Sequence, residues 1–160
     1  MTKGDETLGS DLLENFWCWA VAQYEDVQVR EGLLELQERS NLIILEAMFL
    51  AWLGHRGQVI SQTDHRCIRE SISPWVEGVV LPLRRQRQAW TNRSSMTRFR
   101  THLLGLELEA ERVLAELLIN TLPAQEAVEG GALEVDRNLA FLPEIKSAVT
   151  RDRVTKMLAR

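Results

Sequence analysis

The sequence contains little cysteine and no apolar run long enough to span a membrane. Two cysteines, Cys18 and Cys67, occur among 160 residues, which excludes a disulfide framework and favours the reducing cytoplasm. The most apolar stretch, residues 42–53, would extend about 18 Å as a helix, against about 30 Å for a hydrocarbon core. The N-terminal residues also lack the basic and apolar segments of a secretory signal. We therefore expect a cytoplasmic protein without a membrane partner.

Motifs for catalysis and for cofactor binding are missing as well. There is no Gly-x-Ser-x-Gly or Ser-x-x-Lys motif, no glycine-rich phosphate loop and no dinucleotide fingerprint. His65 and Cys67, two residues apart on a predicted helix, point about 200° from each other, which argues against a zinc site. Other metal candidates are Cys18, His55, Asp64 and His102. We predict no cofactor and no metal, and an enzyme is the less favoured interpretation.

Length and composition are those of one globular domain. The chain has 45% hydrophobic and 26% charged residues, and 160 residues suffice to bury a core without metals or cross-links. Its net charge of −4 argues against a surface that is basic all round, which non-specific nucleic-acid binding requires. A site for nucleic acid or for an acidic partner therefore needs a local basic patch.

Apolar residues recur at helical spacing along most of the chain, and no segment alternates with the period of a strand. We predict an all-α fold, a single compact multi-helix domain with a buried central helix at about 42–53. Glu46 lies within that apolar helix, where a charge is costly unless it is paired. We expect Glu46 to form an ion pair with an arginine or to lie at the helix edge, rather than to act in catalysis.

Local signals place several helix boundaries. Asp11 and Glu14 fit a capping box at the start of the first helix. Ser73 followed by Pro74 predicts the start of a later helix, and Pro82 is expected to kink that helix. The longest helical pattern covers residues 97–120.

These boundaries divide the chain into four segments. We predict a flexible tail at residues 1–9, a helical core domain at 10–122, a linker at 123–137 and a C-terminal helical segment at 138–160. The last segment is expected to dock on the core or on a partner. A homo-oligomer is an alternative, because apolar residues of this segment that are not covered within one chain could be covered by a second copy.

Arginines and aromatic residues are concentrated between Leu83 and Arg100, where no acidic residue occurs. Such a pattern suits contacts with acidic groups, and its aromatic residues suit stacking on unpaired bases. The competing interpretation is ion pairing within the chain, with Glu107, Glu109, Glu111 and Glu116 on the next predicted helix. The candidate binding residues are Arg84, Arg85, Arg87, Trp90, Arg93 and Arg98.

A second candidate site is a pocket between helices. It would be lined by Trp17, Glu46, Trp52, His55 and Trp75, and would take a small molecule or a substrate. The alternative is that these tryptophans fill the core.

Several short motifs resemble a known family. They are Phe16-Trp17, Tyr24, Leu36-Gln37-Glu38, Trp52-Leu53-Gly54, Trp75, Pro82-Leu83-Arg84 with Arg87, and the run from Glu107 to Arg112. Through these motifs, residues 12–120 resemble a family of short proteobacterial proteins, described as conserved hypothetical with a domain of unknown function. The family's Gly-Asp-Val-Asn type of connector is replaced here by Arg39-Ser40-Asn41-Leu42. The resemblance implies a bacterial, cytosolic, all-helical protein and supplies no reaction, cofactor or catalytic residue.

Together these observations predict a cytosolic binding, adaptor or regulatory protein. It would engage an acidic partner through an arginine-rich helical surface, with a protein as the main expectation and RNA as the less favoured one. A small-molecule-binding protein or enzyme with a Trp-lined interhelical pocket is one alternative. A homo-oligomeric structural protein is the other.

Overall fold

The protein is built from helices, and the computed structural model describes residues 3–123 and 125–160, with side chains from Gly9 onward. A π-helical segment, Val76–Val80, connects α4 to α5, and short 3-10 turns, Ser94–Met96 and Pro143–Ile145, precede α6 and α8. No strand occurs in these described ranges, so the predicted all-α fold is confirmed. The helices are α1 (Lys3–Glu25), α2 (Val27–Ser40), α3 (Ile44–His55), α4 (Gln62–Trp75), α5 (Leu81–Ala89), α6 (Thr97–Ile119), α7 (Ala132–Leu139) and α8 (Ala148–Leu158).

Helix α3 lies at the centre of the fold, as predicted. Residues 45–54 are all buried, and α1, α2, α6, α7 and α8 each contact this helix. A helix that is apolar on every side is stable in water only when other helices surround it. On one side Phe16 of α1 packs against Phe49 and Trp52, with ring centroids 5.4 Å apart in both pairs.

Helix α1 begins earlier than the sequence signals indicate. The structure places residues 3–9 in this helix, where a flexible tail is predicted; residues 1 and 2 lie outside the described residues. Asp11 and Glu14 therefore lie inside α1, and the predicted start at Asp11 is wrong. Residues 3–9 contain no proline, and the two glycines there only lower helix propensity, so the helix is not stopped.

The predicted helix start at Ser73 and Pro74 is also wrong. Both residues lie inside α4, and the Ser73 hydroxyl donates to the carbonyl of Arg69 (2.6 Å) instead of capping a helix. The physical reason is an apolar stripe at four-residue spacing that continues across the proline. Its members, Ile68, Ile72, Val76 and Val80, are all buried. Burial of that stripe outweighs the one backbone hydrogen bond that proline removes.

At Pro82, where the sequence predicts a kink, the structure has the π-helical segment immediately before the proline. There the Leu81 N–H donates to the carbonyl of Val76, five residues earlier. This widened turn directly precedes Pro82, whose ring cannot donate a hydrogen bond and crowds the preceding turn. The π-helical segment thus accommodates the proline while the chain continues into α5.

The C-terminal segment docks on the core and completes it. Helix α7 packs on α3, and most of α7 lies in the range predicted as a linker. Asn138, fully buried, joins the two: its amide donates to the carbonyls of Leu50 (3.1 Å) and Gln58 (2.8 Å) and accepts from the Ile60 N–H (2.9 Å). From α7 to the end of α8, the buried apolar residues are Val135, Leu139, Leu142, Ile145, Val154, Met157 and Leu158. Across the described ranges, no helix has both the length and the apolar character to span a membrane.

Candidate functional site

The arginine-rich segment, residues 83–100, forms most of α5, the following turn and the first residues of α6. Trp90 and Phe99 meet across that turn with ring centroids 6.1 Å apart in an edge-to-face arrangement. Helix α5 contacts α6. We call this unit the α5–α6 hairpin. It presents two sides that differ in what their arginines contact.

The inner side carries Arg84 and Arg87, which are three residues apart and share one face of α5. The Arg87 Nε lies 2.5 Å from Glu107 Oε2 of α6. Arg84 is half-buried near Glu111 and Glu107, and burial lowers its pKa while the two carboxylates act in the opposite direction. The predicted pairing within the chain is thus present for Arg87 with Glu107, whereas Arg84 lies near Glu111 and Glu107 without a direct ion pair in the described ranges.

Three further arginines of the hairpin, Arg85, Arg93 and Arg98, are exposed; we call them the outer arginines, and the exposed surface that carries them the outer side. All three are exposed, and none lies within 4.0 Å of a carboxylate in the part of the chain that the structure describes. The Phe99 ring beside them is 60% exposed. No acidic residue occurs from residue 78 to residue 106. The outer arginines are therefore free to contact another molecule.

A groove of about 470 Å³ lies on the inner side of the hairpin, between α1, α2, the start of α3 and α6. We call it the α1–α6 groove. Its walls are mainly apolar, and its rim includes Val21, Leu104 and Leu108, each about half exposed. Polar groups converge inside it from four helices. They are Tyr24, Glu25, Arg30, Gln37, Arg84, Arg87, Glu107 and Glu111.

Besides Arg84, two ionisable groups in the groove have shifted pKa values. Burial raises the pKa of Glu111, and Glu107 acts in the same direction while Arg84 and Arg87 oppose it. Burial also raises the pKa of Tyr24, to which the charge of Glu111 contributes. Shifted groups that share a cleft are typical of functional sites, although ion-pair networks also produce them.

The predicted Trp-lined pocket is not assembled as one cavity. Trp17 lines the α1–α6 groove. Trp52 lies in the core, where its Nε1 donates to Asn15 Oδ1 (3.1 Å). The Trp75 Nε1 donates to the carbonyl of Ala110 (2.9 Å), which fastens α4 to α6. These tryptophans thus face different neighbours: Trp52 is buried in the core, whereas Trp17 and Trp75 are half-buried and pack against it.

The two polar residues of that predicted pocket also have other contacts. The His55 Nε2 lies 2.6 Å from the carbonyl of Leu158, where it ties the end of α3 to the end of α8. Glu46 is fully buried and accepts from Arg69 Nε at 2.6 Å, so the predicted ion pair with an arginine is confirmed. Arg69 also donates to Glu144 through both terminal nitrogens, at 2.9–3.0 Å. The His65 Nε2 lies 3.5 Å from Glu46 without hydrogen-bond geometry.

The remaining metal candidates are dispersed. Cys18 and Cys67 are free thiols at the surface. Within the described ranges, no three His, Cys, Asp or Glu side chains are grouped so as to hold a metal ion.

Tyr24, Leu104 and Leu108 are not among the predicted site residues, and Glu111 is predicted mainly as an ion-pair partner. A signal for three of these four residues is present, because Tyr24 and the run from Glu107 to Arg112, which contains Leu108 and Glu111, belong to the motifs that carry the family resemblance. Leu104, Leu108 and Glu111 also follow each other at four- and three-residue spacing, which places them along one face of α6.

Comparison with known proteins assigns the chain to a family. Residues 15–118 match the family described as "Protein of unknown function (DUF2390)". The chain belongs to the DUF2390 family. The predicted resemblance is confirmed, and the bacterial origin that it implies stays a prediction. The DUF2390 match includes every residue that lines the groove and the whole α5–α6 hairpin, whereas α7 and α8 lie beyond it. No curated protein and no solved structure matches the chain.

Proposed function

We propose that this DUF2390 protein is a binding or adaptor protein that engages an acidic protein partner through the outer side of the α5–α6 hairpin. The observation that carries the proposal is the state of the outer arginines, Arg85, Arg93 and Arg98. They are exposed and lie in a stretch of sequence without acidic residues. Arginine binds carboxylates through two parallel charge-assisted hydrogen bonds, so a carboxylate-rich partner suits them.

The exposed Phe99 adds an apolar contact to this surface. Aromatic residues and arginines are the side chains that most often dominate binding energy in protein interfaces. A partner segment with acidic residues around one apolar residue would match both features. RNA is less well suited, because three arginines on a chain of net charge −4 neutralise few phosphates and Trp90 already packs against Phe99. A cytoplasmic location accompanies the proposal, because Cys18 and Cys67 are exposed free thiols.

The test replaces the three outer arginines by alanine and compares capture of partners. We expect the full-length protein to capture a specific acidic protein from a nuclease-treated lysate, and Arg85→Ala, Arg93→Ala, Arg98→Ala to reduce that capture at least tenfold. A loss of tenfold corresponds to about 1.4 kcal/mol, which is within reach of three charge-assisted contacts. Raising the salt concentration should weaken the same interaction, because added ions screen exposed charges.

A matched control removes the same positive charge elsewhere. Arg39, Arg66 and Arg137 are also exposed arginines and lie outside the hairpin. Their triple alanine variant should capture the partner like the unchanged protein. An equal loss of partner capture in both triple variants would show that the loss depends on net charge alone and would refute the proposal. Capture that disappears with nuclease treatment would assign the surface to RNA instead.

A further inference from the structure

The α1–α6 groove has the size and lining of a small-molecule site. Its volume of about 470 Å³ falls within the range of roughly 300–1,000 Å³ that is usual for ligand pockets. Most of its wall is apolar, and polar groups from four helices line the remainder. Val21 of α1 and Leu104 and Leu108 of α6 leave about half of their surfaces exposed at the rim. An apolar ligand body placed between α1 and α6 would cover these side chains.

The charges in the groove are not all compensated by direct contacts. Arg87 and Glu107 form a close ion pair. Arg30 donates to the backbone carbonyl of Tyr24 at 3.2 Å. Arg84, by contrast, has no carboxylate within 4.0 Å in the described ranges, although it lines the groove and is half-buried. The Arg84 guanidinium is therefore the charged group in the groove that is best placed to receive an anion.

Glu111 determines which head group suits Arg84. Burial raises the pKa of Glu111, which favours its neutral, protonated form more than in an exposed glutamate. The raised pKa lessens the repulsion that Glu111 would exert on a bound anion. Arg84 can thus supply donors to one compact group with two acceptor oxygens. A carboxylate has this form, and arginine binds it with two parallel hydrogen bonds.

We propose that the α1–α6 groove binds a small amphipathic carboxylic acid, with its apolar body between α1 and α6 and its carboxylate against Arg84 and Glu111. The site is separate from the acidic-partner surface, because it uses Arg84 on the inner side of α5 and that surface uses Arg85 on the outer side. Either proposal can therefore fail without the other.

The direct test is a calorimetric titration of the full-length protein with decanoate, at decanoate concentrations below the micellar range. We expect saturable binding of one decanoate per chain. Arg84→Gln should weaken that binding at least tenfold, because it removes the charge that receives the carboxylate. Arg85→Gln is the matched control, since it changes the adjacent exposed arginine, and it should leave the affinity within about twofold of the unchanged protein. Absence of saturable binding, or equal weakening by both variants, would overturn the proposal.

The head group is tested with ligands of the same chain length. Decanoate should bind more tightly than decanol and decylamine. Glu111→Gln should retain decanoate binding, because glutamine is neutral like a protonated glutamate. Tighter binding of decylamine, together with its loss in Glu111→Gln, would show that the groove takes a cation and would overturn the carboxylate assignment.

The position of the apolar body is tested at the rim. Leu108 is 58% exposed on the groove, and Leu133 is 59% exposed on α7, outside it. Because both side chains are exposed, neither Leu108→Asp nor Leu133→Asp should unfold the protein, which circular dichroism will check. Leu108→Asp should weaken decanoate binding at least tenfold, and Leu133→Asp should not. Equal affinities in the two variants would place the decanoate elsewhere.

Discussion

Arg69→Ala should lower the free energy of unfolding by about 3–5 kcal/mol, which corresponds to a fall in Tm of roughly 10 °C for a domain of this size. Arg69 Nε lies 2.6 Å from Glu46 Oε1, and the Glu46 side chain is fully buried in α3. Removing the guanidinium leaves a buried carboxylate without its partner. It also releases Glu144, which anchors the turn before α8 to α4. Chemical denaturation followed by circular dichroism measures the change.

The matched control for Arg69 is an arginine whose ion pair is exposed. Arg39 pairs with Glu35 at 2.9 Å one helical turn away, and its side chain is 76% exposed. Arg39→Ala should cost less than about 0.5 kcal/mol. Adding Glu46→Leu to Arg69→Ala should recover part of the lost stability, since it removes the uncompensated charge. If Arg69→Ala is as stable as the unchanged protein, the buried ion pair does not contribute to the fold as described.

Gly54→Ala should destabilise the protein by about 1–3 kcal/mol, because α7 packs directly against the backbone of α3 at this glycine. A Cβ at Gly54 would lie 2.6 Å from the backbone N of Val135 and 2.7 Å from its Cα. These are backbone atoms, so α7 would have to move away from α3. Urea denaturation monitored by circular dichroism measures the loss. Hydrogen exchange should show that amides of α7 lose more protection than those of α6.

Gly105→Ala is the control with the opposite expected sign. Gly105 lies inside α6, and a Cβ there would meet nothing within 4 Å. Alanine should therefore stabilise the helix by about 0.5–1 kcal/mol through its higher helix propensity. Destabilisation of similar size in both variants would contradict the close packing of α7 on α3.

The parts of the fold that depend on local pattern were predictable. Residues 42–53 are apolar on nearly every side, with Glu46 as the exception, which indicates burial without reference to any other segment. The helix across Pro74 was predictable in principle as well. Ile68, Ile72, Val76 and Val80 continue with a spacing of four past the proline, although Ser73 and Pro74 fit a helix start. A continuous buried stripe is therefore a stronger signal here than a local start signal.

The contacts of the C-terminal segment were not predictable from local pattern. Asn138 bonds to Leu50 and Gln58, about eighty residues earlier, and His55 meets the carbonyl of Leu158. The residues that flank Asn138 and His55 in the sequence do not indicate either contact. The docking of α7 on α3 depends on Gly54 and on the shape of the α3 surface, which exists only after the helices pack.

Only part of the candidate site could be predicted from the sequence. Spacing along α5 shows that Arg84 and Arg87 share a face and that Arg85 points elsewhere. Spacing does not show which face meets α6. That choice follows from the packing of α5 and α6, which brings Glu107 to Arg87 and places Arg84 in the groove. Arg87 is therefore paired within the chain, whereas Arg85, Arg93 and Arg98 are exposed.

Adjacent arginines of α5 have different environments, and arginine modification by phenylglyoxal measures that difference directly. The folded full-length protein is treated briefly, and peptide mass spectrometry measures the modification at each arginine. Arg85, Arg93 and Arg98 are exposed and should react first. Arg84 and Arg87 should react more slowly, because both are half-buried in the wall of the groove and Arg87 is paired with Glu107 of α6. Equal rates at Arg84 and Arg85 in the folded protein would contradict the division of the hairpin into an inner and an outer side.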